Sequence, residues 1–138
     1  MGKDEEAITQ LLDAVRIQPN SANARYNLGR VYAKVGRIAE ATAQFSLAAQ
    51  LQPDNAEAHY NLGFTLAGQG NMDAAIAEFT KAIQIKPDYG AAHNNLGSAL
   101  ANLGKIDEAI LHFREALRIM PDSEQARLNL EYALSLKK

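Results

Sequence analysis

The chain has 138 residues, 47% of them hydrophobic and 22% charged, with a net charge of −2 and no cysteine. That composition supports one folded domain and argues against a wholly disordered chain. It excludes disulfide scaffolds, thiolate metal sites and thiol nucleophiles, and a pI near 5.9 disfavours broad electrostatic capture of nucleic acid.

No apolar run approaches the ~18 residues of a bilayer span, and the first residues are acidic, unlike a signal peptide. A cytoplasmic location without membrane insertion is the default expectation. Alanine supplies 25 of the 138 residues, a load that favours helix.

Glycine and proline, which interrupt regular structure, recur at a fixed step. Pro19, Pro53, Pro87 and Pro121 lie 34 residues apart, as do Gly29, Gly63 and Gly97, and Gly2, Gly36, Gly70 and Gly104. Leu28/Leu62/Leu96/Leu130, Ala41/Ala75/Ala109, Phe45/Phe79/Phe113 and Ala14/Ala48/Ala82/Ala116 keep the same step. Only Gly68 and Gly90 fall outside the two glycine series.

In chain order, residues 1–21 read as a half repeat: a lone second helix from Lys3 to Asn20, with Ala7, Leu11, Ala14 and Pro19 in register. Three full repeats follow at 22–55, 56–89 and 90–123, each with two helical patterns. In the first, Leu28, Val31, Tyr32 and Val35 have i, i+3, i+4, i+7 spacing over about Ala22–Val35, and Gly36 can end that helix in the left-handed conformation. The second runs over about Ala39–Leu51, with Ala41, Phe45, Ala48 and Ala49 on one face, until Pro53 forbids continuation. Asp54 or Asn55 then offers a cap for the next helix, with Asp88 and Asp122–Ser123 at the matching places and Asn20–Ser21 before the first full repeat. Residues 124–138 read as a lone first helix that caps the stack, because Glu131 stands in the Gly29/Gly63/Gly97 column and would block close approach of a further helix. The chain begins in mid-repeat, which suggests a segment of a longer array.

No window alternates as a strand does, so the expectation is an all-α fold of eight helices. One helix pair cannot bury both its faces, so neighbouring pairs must stack into a solenoid. Small residues at Gly29 and Ala41 let the paired helices approach, and Phe45 fills the space beside them.

Arg25-x-x-Leu28-Gly29-x-x-Tyr32, Ala41-x-x-x-Phe45, Ala48 and Pro53 resemble the tetratricopeptide repeat, and the pattern recurs from His59 to Pro87 and from His93 to Pro121. The family often has tryptophan where Arg25, His59 and His93 stand, and leucine replaces the second aromatic at Leu66 and Leu100. A related 35-residue RNA-binding repeat is disfavoured by the constant step of 34. The resemblance implies a right-handed α-solenoid whose first helices line a concave groove, and a non-catalytic scaffold that binds a peptide or helix of a partner protein there. The repeats are locally similar to the superhelical tetratricopeptide domain of O-linked N-acetylglucosamine transferase and to bacterial scaffold proteins of the family.

Chemistry finds little foothold in this sequence. His59 and His93 occupy one motif column, with no carboxylate or further histidine suggested beside them, and His112 reads as an outer-face residue. The periodic glycines mark helix contacts and helix ends, not a phosphate loop. No catalytic set, metal site or cofactor is expected.

On the groove, one column stands out: Asn27, Asn61, Asn95 and Asn129. Asparagine is a middling helix former, so four in register need a reason. One reason is structural, an amide bonding the neighbouring helix backbone to fix the stacking. The other is recognition: helices ~8–10 Å apart would meet an extended peptide about every third residue, and an amide matches a peptide C=O and N–H. Flanking rows supply specificity, through Tyr26, Arg30 and Lys34 in the first full repeat and Tyr60, Phe64 and Gly68 in the second. Asn94, Ser98 and Asn102 follow in the third, then Leu128, Tyr132 and Leu136. Gly68 reads most simply as a helix-end residue, with a pocket beside Phe64 as the alternative.

The carboxylate clamp of co-chaperone members is not reproduced: Asn61 matches, but Tyr26, Arg30, Ala91 and Asn95 stand where other residues are expected. Two further readings are self-assembly as a homo-oligomer through the incomplete N-terminal helix, and substrate recruitment for a larger enzyme.

Overall fold

The computed structural model describes residues 2–138, and among these the chain forms eight α-helices and no strand. They are α1 (Gly2–Ile17), α2 (Ala22–Lys34), α3 (Ile38–Leu51), α4 (Ala56–Gly68), α5 (Met72–Ile85), α6 (Gly90–Asn102), α7 (Ile106–Ile119) and α8 (Glu124–Ser135). The boundaries follow the punctuation. Gly36, Gly70 and Gly104 have φ of +84°, +82° and +80°, so each closes a first helix in the left-handed conformation that a Cβ would strain. Ser21, Asn55 and Ser123 cap first helices, their side-chain oxygens accepting the N–H of Ala24, of Glu57 and Ala58, and of Ala126.

The third repeat departs from that pattern. Tyr89 occupies the cap position of α6 and makes no side-chain cap bond. Asp88, expected to cap, instead accepts from Arg118 Nη2 at 3.3 Å. It stands one residue ahead of the column that Ser21, Asn55 and Ser123 share.

Every helix packs on the next along the chain; in addition α4 touches α6, and α6 touches α8. No comparable backbone contact joins α3 to α5 or α5 to α7, nor α2 to α4, which are linked instead through Asn61 and Tyr26. From α4 onward each repeat is therefore a wedge, narrow where the first helices meet and open along the wall of second helices. Stacked wedges make the curved α-solenoid expected from the repeat, with the first helices on the inner side.

The wedge is set by one recurring contact. Gly29, Gly63 and Gly97 lie against the rings of Phe45, Phe79 and Phe113, all three rings 1–2% exposed. A Cβ placed on these glycines would come within 2.8, 2.9 and 2.6 Å of ring carbons, closer than two carbons approach. The absent side chain thus lets first and second helix close onto a flat aromatic face. Around these contacts the core forms a strip: one cluster extends from Ile8 of α1 to Leu62 of α4, another from Ala75 of α5 to Ala133 of α8. Leu66 packs against both and joins them. At the N-terminal end Ile8 and Val15 are buried, while Ala7 and Leu11 are half-buried.

Restoring a methyl group should therefore cost stability despite alanine's better helix propensity. Gly97→Ala is expected to lower unfolding free energy by ~1–3 kcal/mol through overpacking, measured by urea denaturation. In a Phe113→Leu background the same substitution should be neutral or stabilising, because the ring it strikes is gone.

Candidate peptide-binding groove

Along the inner side, successive first helices place equivalent residues side by side. The asparagine column is stitched from repeat to repeat. Asn61 Nδ2 donates to the Tyr26 hydroxyl at 3.0 Å and to the Glu57 carbonyl at 2.9 Å. Asn95 Nδ2 donates to the Tyr60 hydroxyl at 2.9 Å. Asn129 Nδ2 donates to Asn94 Oδ1 at 3.0 Å, and Asn129 Oδ1 accepts from Gln125 Nε2 at 3.2 Å. The partner across the stack is therefore a side chain one column over in the preceding repeat, where the sequence suggested backbone. Asn61 commits both amide N–H groups to the fold and Asn95 commits one, and in both the carbonyl oxygen is left over. Asn129 uses both ends, and Asn27 is exposed, with no side-chain bond among the described residues.

The tyrosines that receive these amides are themselves supported. Tyr26 packs on Phe45 at 5.7 Å between ring centres, and its hydroxyl lies 3.5 Å from a Glu57 carboxylate oxygen. Tyr60 packs on Phe79 at 5.9 Å and stacks on Tyr89 at 4.9 Å. Burial, with Glu57 second at Tyr26, raises the pKa of both hydroxyls above the usual tyrosine value, so both remain neutral donor–acceptors. Sequence pattern does not single out Tyr89; its signal there is an aromatic in a column otherwise filled by Ser21, Asn55 and Ser123.

The neighbouring row carries the exposed groups. Arg30, Phe64, Ser98 and Tyr132 are all exposed, the two rings at 56% and 64%. Arg30 sits 6.0 Å over the Tyr26 ring. In the next row Lys34 pairs with Asp4 of α1 at 3.1 Å, Gly68 carries no side chain, and Asn102 and Leu136 are exposed. Three openings follow the helices: one at Asn27, Arg30, Val31 and Lys34; one between α4 and α6; and one between α6 and α8. The last two share Ser98 and Asn102. The structure thus brings Tyr26, Asn61, Tyr60 and Asn95 into direct contact as pairs, and sets Asn27, Arg30, Lys34 and Phe64 beside them on the same face.

Tetratricopeptide repeat family models match residues 54–122, and 1–36 with 29–70. The chain belongs to the tetratricopeptide repeat family. Among solved structures, MamA aligns with a TM-score of 0.95 at 26% identity, over 99% of this chain and 80% of that one. YrrB, described as a TPR protein with an unusual peptide-binding site, aligns with a TM-score of 0.88 at 25% identity, over 99% and 70%. The first TPR of Spaghetti (RPAP3), solved with the HSP90 peptide SRMEEVD, shares the fold at 21% identity and a TM-score of 0.82, over 85% and 94%. No curated protein sequence matches the chain.

The column where tetratricopeptide repeats often carry tryptophan does structural work here too. Arg25 Nε donates to the Pro19 carbonyl at 3.2 Å, His59 Nε2 to that of Pro53 at 2.9 Å, and His93 Nε2 to that of Pro87 at 3.0 Å. An indole N–H offers the same donor. Each then meets the second helix of its repeat: Arg25 on Gln44 at 3.2 Å, His59 Nδ1 on Glu78 at 3.1 Å, and His93 Nδ1 on His112 Nδ1 at 3.2 Å. A carboxylate and a histidine therefore do converge on His59 and His93, contrary to the sequence reading, and His112 is half-buried instead of lying on the outer face. The pairs are 19 residues apart, a spacing that no single helix brings together. A carbonyl only accepts, so both Nε2 atoms carry protons and both Nδ1 atoms are engaged, leaving neither ring a free nitrogen for base chemistry. His59 and Glu78 line an opening of about 500 Å³ between α3 and α5, on the outer wall.

Two measurements test these contacts. Tyr60→Phe should cost ~0.5–1.5 kcal/mol in urea unfolding, and almost nothing further in an Asn95→Ala background. His112 has its pKa lowered by burial first and by His93 second, against smaller opposing effects of Glu108 and Glu115. The unfolded chain then takes up that proton before the folded one, so stability falls as pH drops below about 6.5. His112→Gln is expected to remove this part of the acid destabilisation, read as the Tm difference from wild type between pH 7.5 and pH 5.

Proposed function

We propose that the chain is a non-catalytic scaffold that holds an extended segment of a partner protein along α2, α4, α6 and α8. One observation carries this reading: with their N–H groups fixed on Tyr26 and Tyr60, Asn61 and Asn95 keep carbonyl oxygens unused beside the exposed row Arg30, Phe64, Ser98 and Tyr132. Preorganised acceptors at repeat spacing suit peptide N–H groups, and the exposed cation and rings suit side-chain anchors. The description of YrrB as having a peptide-binding site supports the same use of this fold. A few acceptor bonds at ~0.5–1.5 kcal/mol each, less ordering costs, imply modest affinity unless the rings contribute.

Arg30→Glu is the cleaner test. Asparagine substitutions also loosen the stack, and Lys34 is tied to Asp4, whereas Arg30 forms no ion pair among the described residues. Affinity capture from cell extract with wild type and Arg30→Glu, both checked by circular dichroism, should show partner recovery falling several-fold with helicity unchanged. Equal recovery of the same proteins refutes groove binding.

A second reading, self-assembly, is favoured by Leu12 and Ile17 of α1, apolar residues that are 46% and 69% exposed. It expects a mass that rises with concentration in light scattering and returns to the monomer in Leu12→Glu. A constant monomer mass refutes it.

A further inference from the structure

Gly68 lacks the structural reasons that account for the chain's other helical glycines inside the repeats. Gly29, Gly63 and Gly97 face phenylalanine rings, and Gly90 faces Met120, with a Cβ there coming within 2.7 Å of its side chain. Gly36, Gly70 and Gly104 have positive φ; Gly68 does not, and a Cβ on it would meet no atom within 4 Å. Gly68 is the last residue of α4, where a glycine still gives up helix propensity relative to alanine, and neither packing nor a positive φ asks for it here. The equivalent positions carry Lys34, Asn102 and Leu136. What the missing side chain leaves is an opening of about 300 Å³ between α4 and α6.

Its chemistry is specific. The buried Phe79 ring, Met72 and Ala99 make an apolar lining, and the exposed Phe64 ring forms a wall. Asn95 lines the opening with one amide N–H held by Tyr60, which fixes the amide and leaves its carbonyl oxygen as an acceptor on offer. No charged residue lines the opening, and α6 contains no Asp, Glu, Lys or Arg. The nearest unpaired cation along the rows is Arg30, one repeat away in the Phe64 row. Glu57, the only carboxylate of α4, lies seven residues from Phe64, about 10 Å along the axis at the helical rise.

We propose that this opening is a specificity subsite for one uncharged aliphatic or aromatic side chain of an extended partner peptide that carries a carboxylate about three residues away, facing Arg30. The separation follows from ~8–10 Å between packed helices and ~3.3 Å per peptide residue. The volume sits at the lower end for ligand pockets, suited to a single side chain. The peptide N–H next to that side chain donates to Asn95 Oδ1. The subsite rests on the groove reading and specifies which peptides the groove prefers.

The test uses the full chain and two probes. N-acetylphenylalaninamide, titrated at millimolar concentration into ¹⁵N-labelled protein, should shift the amides of Gly68, Ser98 and Ala99. Gly68→Leu, which fills the opening and improves helix propensity, should abolish those shifts, while Gly68→Ala retains most of them. Peptides selected on wild type from a random displayed library should share an apolar residue three positions from an acidic one, and bind Gly68→Leu roughly 10- to 100-fold more weakly. Absent shifts, or shifts that survive Gly68→Leu, overturn the subsite. Selected peptides that lose affinity for Arg30→Glu but not for Gly68→Leu overturn the subsite and leave groove binding standing. Peptides indifferent to both variants overturn the two together.

Discussion

The contact of a bare glycine backbone with a phenylalanine ring, made once in each full repeat, sets the distance between paired helices. Everything on the inner side depends on that distance. A methyl group at Gly63 would push α4 from α5, and with it Tyr60 from Phe79. Tyr60 would then no longer hold its hydroxyl where Asn95 can reach it. The packing of the pair is thus transmitted into the groove by a rigid aromatic residue, and the groove inherits the precision of the core.

Two networks join the repeats to one another, and they lie on opposite edges of the first helices. On the groove side, Asn61 and Asn95 bind tyrosine hydroxyls of the preceding repeat and Asn129 binds Asn94. On the other, Arg25, His59 and His93 hold prolyl carbonyls from the preceding turn and a polar group on their own second helix. Both networks use side chains that pattern reading alone could mistake for ligand-binding or catalytic groups. His59 and His93 are engaged at both nitrogens, whereas Asn61 and Asn95 retain a free carbonyl oxygen, and that difference separates a structural column from one with capacity left for a partner.

The fold was largely legible because every repeat solves the same packing problem, so the solution is written several times at a step of 34 residues. Helix ends at Gly36, Gly70 and Gly104 and the Gly–Phe contacts could be read directly. What could not be read were contacts that depend on neighbouring columns in three dimensions. Asp88 occupies a place that looks like a cap yet lies one residue early. Glu78 and His112 reach His59 and His93 only after two helices pair. Gly68 does end α4, as its place near Gly70 suggests, and only the absence of any atom around its missing side chain reveals the opening beside it.

The core strip, with Leu66 as the link between its halves, also bears on how the molecule would respond to tension. Among the described residues helix contacts run from each module to the next, so a pull along the stack is borne in series. Extension would release modules one after another, in a sawtooth of force rather than a single rupture. A partner lying across several first helices would brace neighbouring modules against that release, making the scaffold mechanically stiffer when occupied than when empty.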